Sequence, residues 1–169
     1  MRRASLLVLA ALLFTGCARP IYSFTGGGLP RHIRTVAVIP FENTTTQPLI
    51  ESDIERSLQA ELPRNLGVRL ADQRVADAVL RGRINSYEES ATSVRPTQQQ
   101  GQVPVVQREV RISYDAEIYD LREDRPLWRA QAQTVTGNYS PETETIVEAK
   151  TRAIRELVKR VIEGAQSQW

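Results

Sequence analysis

The chain is poor in the residues that build compact chemical sites. It has one cysteine, one histidine and one methionine in 169 residues. A lone cysteine closes no internal disulfide, and an odd one in an exported protein calls for another use. Zinc sites of Cys and His are excluded by the same scarcity, and we expect no metal or dissociable cofactor. A Ser-His-Asp arrangement would hang entirely on His32, at the edge of a Gly/Pro-rich segment. Glu88 and Glu89 are neighbours on a predicted strand. They point to opposite faces and cannot flank one substrate as paired carboxylates. No enzyme is visible in this inventory. Long apolar runs are missing too: the only one, Ser5 to Phe14, is about ten residues, against the ~20 a spanning helix needs.

What is present at the N-terminus explains the single cysteine. Met1-Arg2-Arg3 is basic, SLLVLAALLF (5–14) is apolar, and Thr15-Gly16 are small residues directly before Cys17. These are the parts of a secretory signal. Phe14-Thr15-Gly16-Cys17 resembles the bacterial lipoprotein box. That resemblance implies a leader of residues 1–16, cleavage before Cys17, a diacylglycerol on its thiol and an acyl chain on the new amino terminus. Several acyl chains give firm anchoring where one alone is marginal. Ala18 stands where an aspartate would retain the protein at the inner membrane, so the implied destination is the periplasmic side of the outer membrane. Loss of Arg2 and Arg3 lowers Lys+Arg from 22 to 20, against 20 Asp+Glu. The mature chain is formally neutral and has no basic excess to bind nucleic acid through its phosphates.

Residues 17–31, with Gly26-Gly27-Gly28 and two prolines, read as a tether. They lack the strand, G-K-[ST] ending and helix of a phosphate loop. Residues 32–169 then read as one domain. RTVAVIPF (34–41) is a strand buried on both faces, ended by Pro40; residues 42–46 read as a loop. Ile50, Ile54, Leu58 and Leu62 share one helical face between Pro48 and Pro63, and Pro63 is expected to stop that helix. A short strand at 67–70 follows, then one from Ala78 to Ser90. The polar stretch 91–103 reads as a long hairpin tip. From 105 to 121, Val110, Ile112, Tyr114, Ala116 and Ile118 alternate with polar residues, the mark of a half-buried strand. In the returning strand, 127–138, Trp128, Ala130, Ala132 and Thr134 are expected on one face. Ser140-Pro141 with Glu142 and Glu144 predicts the start of a last helix, with Gly164 near its end. The expected fold is α+β, a two-layer sandwich. Its mixed or antiparallel sheet has about four to five strands, and both helices pack on one face.

The segment YSFTGGGLPRHIRTVAVIPFENTTT (22–46) resembles the start of the LptE family, lipopolysaccharide-assembly lipoproteins of the outer membrane. The matching residues are Cys17, Tyr22, Leu29-Pro30, Ile33, Val36-Ala37-Val38, Pro40-Phe41, Asn43 and Thr44 or Thr45. Ala76 to Gly82 looks like the family's second-strand entry, and the terminal helix completes the likeness. The resemblance implies a non-enzymatic protein that plugs the LptD β-barrel, assists its assembly and serves lipopolysaccharide delivery to the cell surface. It implies LptD as partner, and lipopolysaccharide contact through basic hairpin residues: Arg95, with Arg108 flanking it. VAVIPFENTT also resembles the first strand of periplasmic lipoproteins with a TolB-N-terminal-like or curli-secretion-like domain, which act as cell-wall synthase activators or secretion-pore subunits. The strand meander followed by one terminal helix favours LptE.

Overall fold

The computed structural model of the chain describes residues 28–95 and 105–167. Cys17, the leader, most of the tether and residues 96–103 of the expected hairpin tip lie outside the described residues. The order is β1 (Thr35–Val38), β2 (Glu42–Asn43), α1 (Ile50–Leu66), β3 (Arg69–Leu70), β4 (Ala78–Arg95), β5 (Val105–Asp120), β6 (Arg125–Tyr139) and α2 (Ile146–Ser167). The strands form one sheet in the order β3-β1-β4-β5-β6, with β2 paired to β4. β1 runs parallel to β3 and β4, and β2 parallel to β4. The β4–β5–β6 meander is antiparallel. This is the expected mixed α+β sandwich, with β2 as a sixth strand where a loop was expected.

Both helices cover one face of the sheet over a single apolar cluster. Ile50, Ile54, Leu58 and Leu62 of α1 are fully buried, each such burial contributing about 1.5–3 kcal/mol. The helices run side by side in the same direction. Lys150 Nζ meets Asp53 Oδ2 at 2.8 Å near their N-termini, and Gln166 Nε2 donates to Asn65 O at 3.1 Å near their C-termini.

Several boundaries differ from the sequence expectation, each for a local reason. Pro63 does not stop α1, which continues to Leu66. The carbonyl that loses its donor belongs to exposed Gln59, open to water, while Leu66 still packs on the core. The helix ends at Gly67, whose φ of 66° is the left-handed cap that glycine adopts without cost. At the other end of the chain, Ser140 to Thr143 form a turn, closed by Thr143 N and Glu144 N donating to Ser140 O. The cap of α2 is Thr145: Glu148 N donates to its Oγ1 at 3.3 Å, and Thr145 N donates to Glu148 Oε2 at 2.7 Å. That reciprocal pair is a capping box. Gly164 lies inside α2, pressed against Trp128.

The largest correction concerns β6. Ala132 has φ 49°, and residues 131 and 132 together face Asp115 across the ladder. Asp115 Oδ1 accepts the displaced Ala132 N–H at 2.7 Å. The extra residue reverses the facing of all that follows. Val135, Gly137 and Tyr139 are therefore buried, while Ala132 and Thr134 are exposed rather than inward with Trp128 and Ala130. The stretch from Ala91 to Arg95 is strand rather than hairpin tip.

Candidate functional site

Three regions carry polar side chains in organised arrangements. The first is the sheet face turned away from the helices. Arg81 on β4, Glu117 on β5 and Arg129 on β6 stand on three neighbouring strands. Arg81 NH2 donates to Glu117 Oε1 at 2.7 Å, and Arg129 Nε donates to Oε2 at 2.7 Å. Burial opposes ionisation of Glu117, but hydrogen bonds from Arg81 and Arg129 outweigh it and hold the carboxyl below its ordinary value. The Arg81 guanidinium also lies 5.2 Å from the centre of the Tyr119 ring. Farther along, Arg83 Nε donates to Glu42 Oε2 at 2.8 Å, and Arg111 pairs with Glu109. Each of these charges has a partner, and the surface they form is polar.

The second region is the β4–β5 hairpin with the residues expected to contact lipopolysaccharide. The register sets Arg95 opposite Val105 and Arg108 opposite Ala91. They stand three residues apart along β5, about 10 Å, so the ladder does not bring them to one point. Arg108 NH1 donates to Glu89 Oε1 at 2.9 Å, and the Tyr139 hydroxyl donates to the same oxygen. The bond to Glu89 raises the Tyr139 phenol above its ordinary value.

The third region is the opposite end of the sheet, where the chain enters from the N-terminus. His32, absent from any expected site, meets fully buried Asp120 at 2.6 Å from Nε2 to Oδ2. Asp120 Oδ1 accepts from Arg122 N at 2.8 Å and Glu123 N at 3.0 Å. Burial opposes its charge, but the bonds from Glu123, His32 and Arg122 keep Asp120 below the usual carboxylate range. Its start-of-turn position was a sequence signal for the backbone bonds, but not for the histidine 88 residues away. His32, Asp120 and Glu123 bring ligand-type atoms within 4.8 Å of one another. Both Asp120 oxygens are already committed to the turn and to His32, so the arrangement acts as a clamp. Asp77 adds a second tie: its Oδ2 accepts from Arg34 N, Thr35 N and Thr35 Oγ1, at 3.0, 3.0 and 2.8 Å.

The architecture has relatives of known structure. A point-substituted PelC dodecamer from Paraburkholderia phytofirmans is similar at a TM-score of 0.50 and 20% identity, covering 84% of this chain and 95% of that one. The hypothetical protein CT253 from Chlamydia trachomatis is similar at 0.53 and 11% identity, covering 79% and 98%. These likenesses establish the fold. Comparison with curated proteins gave no match. Residues 33–166 match the profile of the LptE family, described as lipopolysaccharide-assembly. The match spans β1 to nearly the end of α2, and the chain belongs to the LptE family.

Proposed function

We propose that the chain is an outer-membrane lipoprotein that plugs the LptD β-barrel, assists its assembly and so serves lipopolysaccharide transport. In this reading residues 1–16 are removed as a signal peptide, Cys17 carries the diacylglycerol and the N-acyl chain, residues 17–31 are the tether, and 32–169 form the plug domain. The protein faces the periplasm from its lipid anchor and works by binding, without a catalytic step. The observation that carries the reading, beside family membership, is the ion-paired sheet face through Arg81, Glu117 and Arg129. Such a face stays wetted when enclosed, and the lumens of outer-membrane barrels are polar and can hold a plug. Lipopolysaccharide phosphates are natural partners for arginine. Arg95 and Arg108 are the proposed contacts, Arg108 exchanging Glu89 for a phosphate.

Affinity purification from detergent-solubilised outer membranes, with mass spectrometry of the companions, tests the reading. A large β-barrel in equal amount supports it. Recovery of a cell-wall synthase, of a homo-oligomeric ring or of the chain alone overturns it.

A further inference from the structure

The basic side chains of this protein are distributed unevenly in one respect. Among the residues whose side chains are described, each lysine and arginine has an ionic partner except Arg31, Arg34, Arg69 and Arg155. Three of these four stand together at the end where the chain enters the domain. Arg69 N donates to Arg34 O at 2.9 Å, and Arg31 precedes Arg34 by a single turn held by Ile33 N donating to Pro30 O. All three side chains are exposed. The carboxylates nearby are engaged elsewhere: Asp72 with Arg74, Asp77 with Arg122, Asp120 with His32, Glu123 with Arg125, Asp124 with the Tyr119 hydroxyl. The same end carries exposed Leu70, Val75 and Leu121, at 42%, 73% and 44%. Leu121 is tied to this end by its N–H on Asp77 O, and Val75 by its N–H on Asp72 O.

From this we infer that the β1–β3 end of the domain, through Arg31, Arg34 and Arg69 with Leu70, Val75 and Leu121, docks on the anionic phospholipid headgroups of the leaflet that holds the anchor. The inference rests on acylation of Cys17. Ten residues separate Cys17 from Gly28. At full extension the two Cα atoms are no more than about 40 Å apart, so the acyl chains keep this end close to the headgroups. Basic residues near an anionic membrane surface add attraction that one chain or one patch alone does not supply. Unpaired guanidinia gain phosphate partners there, and the three aliphatic side chains enter the interface.

The test uses the mature, acylated chain in vesicles. Leu70→Cys provides one free thiol, since Cys17 is occupied, and takes an environment-sensitive dye; Val75→Cys repeats the reading at a second site. A quencher lipid with its nitroxide at headgroup depth reports contact. On phosphatidylethanolamine–phosphatidylglycerol vesicles the dye is quenched, on phosphatidylcholine vesicles much less, and added salt reverses the difference. The triple change Arg31→Gln, Arg34→Gln, Arg69→Gln lowers the docked-to-undocked ratio, by roughly fivefold per arginine on the scale of a basic residue at an anionic surface. Arg155→Gln leaves it unchanged. Equal quenching on both vesicles, or quenching that survives the triple change, overturns the proposal. Mass spectrometry of the N-terminal peptide separates the two levels. Acyl chains present with an unquenched dye defeat only the docking; their absence defeats the anchor and the docking together.

Discussion

Gly164 of α2 lies against the indole of Trp128 on β6, so closely that a Cβ at 164 would overlap the Nε1 edge of the ring. On an exposed helix Gly→Ala gains about 1 kcal/mol. Here overpacking costs about 1–3 kcal/mol and outweighs that gain. Gly164→Ala is therefore expected to lower the urea midpoint. In a Trp128→Ala background the same change should become neutral or stabilising, and a double-mutant cycle measures the reversal.

Thr145 and Glu148 cap α2 reciprocally. Thr145→Ala is expected to cost about 1 kcal/mol, within the usual range for a lost N-cap. Thr145→Ser should recover most of it in thermal unfolding. Ser140→Ala, at the rival cap position in the sequence, should change little.

Asp120 is held below its ordinary carboxylate value when folded. Its contribution is thus complete above the unfolded value of about 3.9 and is lost as pH falls through the lower folded value. Asp120→Asn removes a charged acceptor at a fully buried position, at an expected cost of about 1.5–3 kcal/mol near neutrality. Stability measured against pH should show wild type and variant converging as the pH drops below the carboxylate range. A constant gap down to strong acid would show that the lost charge is not the cause.

Gln131 and Thr136 are exposed on β6, on the sheet face turned from the helices. Gln131→Arg with Thr136→Arg should leave stability within about 0.5 kcal/mol, as surface changes usually do. If that face lies against a barrel wall, two bulky unpartnered charges should lower barrel recovery at least roughly tenfold. Unchanged recovery would remove this face from the interface.

If Cys17 is the acylation site, as proposed, Cys17→Ser should abolish fatty-acid labelling and remove the protein from the outer-membrane fraction. Fractionation with fatty-acid labelling checks it.

The alternation of Val110, Ile112, Tyr114, Ala116 and Ile118 was legible because nothing interrupts the pleat of β5 there. The same rule misled in β6, where an alanine with positive φ carries the bulge and no glycine announces it. Thr145-Ile-Val-Glu148 was readable as a capping box, but Ser140-Pro141 offered a competing start, and only the turn closed on Ser140 O decides between them. Pro63 was overruled by packing beyond its window, since Leu66 anchors the last turn of α1. The Arg81–Glu117–Arg129 ladder and the His32–Asp120 clamp join residues far apart in sequence, so they depend on strand order, which periodicity does not contain. In Arg108 the sequence showed an available cation, and the structure shows it occupied by Glu89.

β1 lies between β3 and β4, not at a margin of the sheet. The first strand of the domain is therefore gripped from both sides, with the His32–Asp120 contact just ahead of it. Under the proposed acylation of Cys17, a pull from the acyl chains is resisted by backbone bonds to two neighbouring strands rather than one. If, as proposed, the protein is moored at one end while a large partner is built around it, this placement lends it tensile strength: the mooring line is spliced into the middle of the fabric.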